Sequence, residues 1–149
     1  MAKFIGKSKL NAAVFISGRG SNLKSLINFT KNKLSPIKIV LVVSNNKEAP
    51  GLNYAKINNI KNIIVTYKNK LKAEKKLLGA LLKYKIRLIC LAGFMKILSK
   101  KFILKFEGKI LNIHPSLLPN YKGLNTHRRV IENKEKFTER SWDCNINTS

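Results

Sequence analysis

The sequence predicts one α/β domain built on a doubly wound, mostly parallel sheet. Three observations carry that expectation. Short runs of β-branched and leucine residues alternate, from Ala12 onward, with segments whose apolar residues recur at helical spacing. The runs are apolar at consecutive positions, as in strands covered on both faces. Three further segments, beginning at Gly18, Gly93 and Asn112, each follow such a run, where the ligand-facing turns of these sheets lie.

The first strand is expected over residues 12–17, broken by Gly18-Arg19-Gly20-Ser21-Asn22, after which Leu23, Leu26 and Ile27 start a helix. Residues 37–44 are nearly all β-branched or leucine and read as a central strand that ends at Asn45-Asn46. A short helix over 49–59 and a strand over 63–66 follow. The segment 71–85 is a lysine-faced amphipathic helix with Leu77, Leu78, Leu81 and Leu82 as its inward stripe. Residues 88–92 form the fourth strand and 110–113 the fifth; between them Ser99 is placed to cap a helix running to about Phe106. Right-handed crossovers turn this order into a Rossmann-like sheet with all three turns on its carboxyl edge.

At 149 residues there is room for one core, and no apolar run approaches the roughly 20 residues that span a bilayer. A cytoplasmic protein is expected, with no membrane partner. Cys90 and Cys144 have no metal-ligand spacing and read as ordinary thiols. A formal charge of +23 raises the question of nucleic acid. The charge is mostly lysine spread along the chain, with arginine confined to Arg19, Arg87, Arg128, Arg129 and Arg140. A dedicated groove would cluster arginine with aromatics, so nucleic acid is not the expected partner; an acidic small substrate gains from the field in any case.

Gly18-Arg19-Gly20-Ser21-Asn22 stands where a strand turns into a helix. Its glycines let backbone amides approach an anion at the positive end of that helix, and Ser21 and Asn22 add side-chain donors. The same residues also suit a tight turn with Ser21 as helix N-cap. The third glycine of the dinucleotide pattern is absent and no Gly-Lys-Ser/Thr follows, so the ligand expected is a phosphate on a small metabolite.

Asn112-Ile113-His114-Pro115-Ser116 closes the fifth strand. Alternation points Asn112 and His114 to one side and Ile113 to the other. An amide that donates to an oxyanion beside an imidazole that carries a proton near neutral pH is what acyl transfer needs. A histidine on its own is more often structural, and Pro115 can simply end the strand. His127 opens a helical segment over 126–133, where a surface or capping role is the default. Neither histidine has a metal-ligand partner at useful spacing, and no metal is expected. Gly93-Phe94-Met95-Lys96-Ile97-Leu98 suits a flat heteroaromatic ligand held by backbone and apolar groups, or ordinary core packing after a strand.

Taken together, these segments resemble the glycinamide ribonucleotide formyltransferase family over residues 12–137. The telling stretches are residues 18–23, Leu91-Ala92-Gly93-Phe94-Met95-Lys96-Ile97-Leu98, and Leu111-Asn112-Ile113-His114-Pro115-Ser116-Leu117-Leu118-Pro119 leading into Gly123-Leu124-Asn125-Thr126-His127-Arg128. Gly-Leu-Asn-Thr-His stands where formyltransferases acting on initiator tRNA usually carry an Arg-Gly-Ala-Ala-Pro-like stretch, and Pro115 argues against the formyltetrahydrofolate hydrolase branch. The resemblance implies transfer of a formyl group from the co-substrate 10-formyltetrahydrofolate to the amine of glycinamide ribonucleotide in de novo purine (IMP) biosynthesis. It implies that Gly20, Ser21 and Asn22 hold the substrate phosphate, and that Lys70, Met95, Lys96, Ile97, Leu98 and Asn112 face the folate. Asn112 would stabilise the oxyanion and His114 would supply charge and proton transfer.

The family also draws an aspartate from a later loop to raise the histidine pKa. Similarity ends after Phe137 or Thr138, and Asp143 sits among residues that do not match that loop. The expected organisation is an incomplete formyltransferase N-terminal catalytic domain over 1–138 and a non-homologous, disordered tail over 139–149, as a frameshift or a shortened reading frame produces. The expected consequences are impaired catalysis and a sheet edge open to self-association. The alternatives are a non-catalytic phosphate-metabolite binding remnant and another folate-dependent formyltransferase.

Overall fold

A computed structural model of the chain describes residues 8–113 and 142–143. Strands and helices alternate as β1 (Leu10–Ile16), α1 (Ser21–Thr30), β2 (Ile37–Ser44), α2 (Leu52–Ile57), β3 (Lys61–Ile64), α3 (Lys70–Lys83), β4 (Leu88–Ala92), α4 (Lys100–Lys105) and β5 (Lys109–Ile113), with a two-residue β6 (Trp142–Asp143). The strand order is β3-β2-β1-β4-β5-β6. The first five strands are parallel, so the α/β fold is the doubly wound one that the pattern predicts. The chain winds outward from β1 in both directions, and the order reverses between β1 and β4. The crevice at that switch point is where such sheets bind ligands.

The two faces of β1 explain its unbroken apolar run. Ala12, Val14 and Ile16 pack under α1 and α2 with Leu23, Leu26, Ile27, Leu52 and Ala55. Ala13 and Phe15 pack on the other face under α3 and α4 with Ala73, Leu77, Leu81 and Phe102. All five strand residues are fully buried. At about 25 cal/mol per Å² of apolar surface, burial in these two layers is the main force holding the sheet.

Several expectations shift. Of the four leucines predicted to face inward on α3, Leu77 and Leu81 are buried, Leu78 is half-buried and Leu82 is 81% exposed. The buried line runs through Ala73, Glu74, Leu77 and Leu81. At about 100° per residue Leu82 falls roughly 125° from the centre of that line, outside what a single sheet face covers. The second helix begins at Leu52, not at Ala49, because Pro50 and Gly51 form the turn that enters it. The third strand lies two residues earlier than expected, since its register is set by pairing Leu41 to Lys61 and Ser44 to Ile64.

The tail, which has no periodicity in the sequence, contributes β6. Trp142 pairs with Ile113 and Asp143 with Asn112, antiparallel, so the outer edge of β5 is partnered over its last two residues where an open edge was expected. Backbone pairing along an unpaired edge requires no side-chain pattern, which is why composition did not signal it. Among the described residues no helix is long and apolar enough to cross a membrane.

Candidate active site

The site is built where β1 and β4 release the chain. Gly20 occupies the N-cap of α1 in a left-handed conformation, φ 76°, and its carbonyl accepts the first helical hydrogen bond from the Lys24 amide at 2.9 Å. Ser21 is therefore the first helical residue and not the cap, and among the described residues no side chain caps α1. The opening amides of a helix have no intrahelical acceptors, and without a capping side chain they face outward as a set of anion donors.

Across from this turn, β4 is followed by Gly93, which bends the chain with φ 75°. Phe94 then turns into the core, edge-on to Phe15 at 5.3 Å and to Tyr67 at 5.8 Å between ring centroids. That leaves Met95 and Ile97 projecting outward, 77% and 83% exposed, with Lys96 exposed between them. Leu98 does not join them: it is buried with Phe102 beneath α4, so it has backbone but little side chain to offer a ligand. Residues 17–22 and Ala92, Gly93 and Met95 enclose a cavity of about 230 Å³. A larger hollow of about 530 Å³ beside Leu82 and Phe106 lies at the opposite end of the strands, away from both turns.

Asn112 is half-buried on β5, in register with Leu91, while Ile113 is level with Ala92 at the base of the Gly93 bend. Leu111 and Ile113 pack on the α1 side and Ile110 on the α3 side, so alternation sends Asn112 toward the face that holds Phe94. His114 lies outside the described residues, as do residues 115–128 and Cys144. Lys70 is exposed at the first position of α3, behind the Asn69 cap whose side chain accepts from the Lys72 amide at 3.0 Å, and it does not line the cavity.

Four residues not singled out in the sequence hold this arrangement. The Ser17 hydroxyl accepts from the Met95 amide at 2.8 Å and donates to Asn45 Oδ1. Gly51 donates to the Gly18 carbonyl at 3.0 Å. Glu74 is the single acid in α3 and is 6% exposed; it accepts from the Ser99 amide at 2.7 Å and from the Ser99 hydroxyl. Ser99 in turn caps α4, accepting from the Phe102 amide at 3.1 Å, as expected. The Tyr67 hydroxyl is buried without a partner among the described residues, and burial first, the Glu74 carboxylate second, push its pKa up to about 12. A lone acid in a lysine-rich helix and a glycine after proline were the available signals for Glu74 and Gly51; Ser17 and Asn45 carried none.

Fold and site thus define a doubly wound α/β domain in which a helix-opening glycine turn faces an apolar loop across a small cavity at the switch point. The chain belongs to the formyl transferase family, whose model matches residues 10–138. It is 47% identical over 131 residues to the trifunctional purine biosynthetic protein adenosine-3 of Gallus gallus, covering 86% of this chain and 13% of that protein. It is 46% identical over 123 residues to the phosphoribosylglycinamide formyltransferase of Haemophilus influenzae, covering 80% of this chain and 58% of the relative. The crystal structure of phosphoribosylglycinamide formyltransferase from Brucella melitensis superposes with a TM-score of 0.76 at 41% identity, covering 85% of this chain and 67% of that one. The chain therefore spans little more than half the length of the Haemophilus influenzae relative and about an eighth of the Gallus gallus one.

Proposed function

We propose that the chain serves formyl transfer from 10-formyltetrahydrofolate to the amine of glycinamide ribonucleotide, a step of de novo purine biosynthesis in the cytoplasm. The observation that carries this reading is the meeting of the α1 turn, which has no side-chain cap among the described residues, with Gly93 and the exposed Met95 around one cavity at the switch point. The names of the relatives and their family support the same assignment.

In this reading Gly20, Ser21 and Asn22 bind the phosphate through the opening amides of α1 and two side chains. Met95 and Ile97 supply apolar contact to the pteridine, the backbone of Lys96 and Leu98 supplies polar contact, and Lys70 attracts the acidic end of the folate. The co-substrate supplies the formyl carbon. The glycinamide nitrogen forms a bond to that carbon, the bond from the carbon to the folate nitrogen breaks, and the proton lost by the amine returns to the folate nitrogen. Asn112 donates its amide hydrogen to the formyl oxygen as negative charge grows there, which lowers the barrier because the donor is already oriented by the strand. His114 carries the proton.

Formyl transfer and ribonucleotide binding measured on one preparation test this. Asn112→Ala is expected to abolish turnover and spare ribonucleotide binding, whereas Ser21→Ala with Asn22→Ala weakens binding itself. Binding without any turnover in the parent chain would leave a non-catalytic phosphate-metabolite domain; failure to bind glycinamide ribonucleotide at all overturns the assignment.

A further inference from the structure

We propose that Ser17 is a positioning residue that makes the phosphate-side turn and the folate-side loop respond as one unit. The inference rests on the reading of those two segments just given. The Met95 amide can only donate, so the Ser17 oxygen at 2.8 Å must accept, and the single hydroxyl proton is left for Asn45 Oδ1. Asn45 follows β2, Ser17 follows β1 and Met95 follows β4, so one hydroxyl ties the carboxyl ends of three adjacent strands across the switch point.

Each side of that tie needs it for a separate reason. Among the described residues nothing lies within 4 Å of a Cβ built on Gly93, so none of them packs against the bend from that side. The loop beyond it is located by the Phe94 ring below and by the Met95 amide above, since the Met95 side chain is solvent-facing. On the other side Ser17 directly precedes Gly18, whose carbonyl is held by the Gly51 amide. A displacement of the turn when an anion docks is thereby passed to the amide of the residue that begins the folate wall. Such a link makes the two ligands report on each other, and by linkage the effect is reciprocal, on the order of fivefold in affinity.

Amide chemical shifts in the ¹⁵N-labelled full chain test the link, with inorganic phosphate as the first probe and folic acid as the second. Phosphate is expected to move the amides of Gly20, Ser21 and Asn22 and also that of Met95. In Ser17→Ala the three turn amides still respond and Met95 falls silent; Ser17→Thr, which keeps the hydroxyl, restores the Met95 response. Folic acid reads the same link from the other side, moving the turn amides in the parent and not in Ser17→Ala. A Met95 amide that ignores phosphate while the turn responds, or that responds equally without the hydroxyl, overturns the positioning role and leaves the proposed function standing. Turn amides indifferent to phosphate overturn the phosphate assignment, and this inference with it. Should Ser17→Ala fail to fold, Asn45→Ala gives the same reading, because it frees the hydroxyl from its fixed direction and is expected to diminish the Met95 response.

Discussion

Gly20 and Gly51 meet backbone against backbone: a Cβ built on Gly20 would stand 2.6 Å from the Cα of Gly51, and one built on Gly51 would stand 2.9 Å from the Cα of Gly20. The turn that opens α1 and the turn that opens α2 are thus pressed together with no room for a side chain on either. The Gly51 amide bonded to the Gly18 carbonyl closes the contact.

Alanine at the two positions should therefore cost unequally. Gly51 has an ordinary helical φ of −59°, so Gly51→Ala adds overpacking alone, against Ile16, the Gly20 Cα and the Gly18 carbonyl, about 1–3 kcal/mol. Gly20→Ala adds the left-handed backbone penalty to a similar clash, for about 2–5 kcal/mol in all. Urea denaturation of the two variants checks the order, and an equal loss would refute it.

Glu74 holds the start of α4 from a buried position, so its removal should be felt at Ser99. Glu74→Ala leaves the Ser99 amide without its acceptor and is expected to cost about 1–3 kcal/mol, with hydrogen exchange at Ser99 and Phe102 accelerated. Glu74→Gln keeps one acceptor oxygen for the Ser99 amide and should cost less. Stability equal to the parent in both variants would mean that the pairing contributes nothing net.

Tyr67 gives a pH signature. Its phenol is harder to ionise in the folded chain, with a pKa near 12 against an ordinary 10, through burial and then the Glu74 carboxylate. The sign follows: the neutral phenol is favoured by folding, so its contribution is complete below pH 10 and is lost as pH rises toward 12. Ultraviolet titration should show a lagging phenol that is absent in Tyr67→Phe. That variant also deletes a buried hydroxyl with no partner among the described residues and is expected to be as stable as the parent or slightly more so.

Cys90 is buried between β1 and β5, and burial pushes its pKa to about 11, so roughly one thiol in a thousand is ionised at pH 8. Iodoacetamide should leave the Cys90 peptide unmodified in the native chain and label it once urea unfolds the protein, as read by mass spectrometry. Rapid native labelling would place the thiol outside the core described here.

Much of the fold was legible because burial on both faces writes itself into consecutive residues: the spans 37–44 and 88–92 match β2 and β4 at both ends. Local chemistry was legible as well, since a cap such as Ser99 acts within three residues of itself. Where two candidates shared one pattern, as with the four leucines of α3, the composition could not say which the sheet would cover.

Taken alone, the sequence determined the order of strands and helices, the placing of the glycine turn and of Asn112 at strand ends, and the family pattern carried by those residues. Only the tertiary structure decided that Ser17 reaches Met95, that Gly20 lies on Gly51, and that Glu74 grips Ser99. Periodicity reports whether a residue is covered by its own layer. Contacts between segments 25 to 78 residues apart depend on which strands become neighbours, and packing of the whole sheet sets that order.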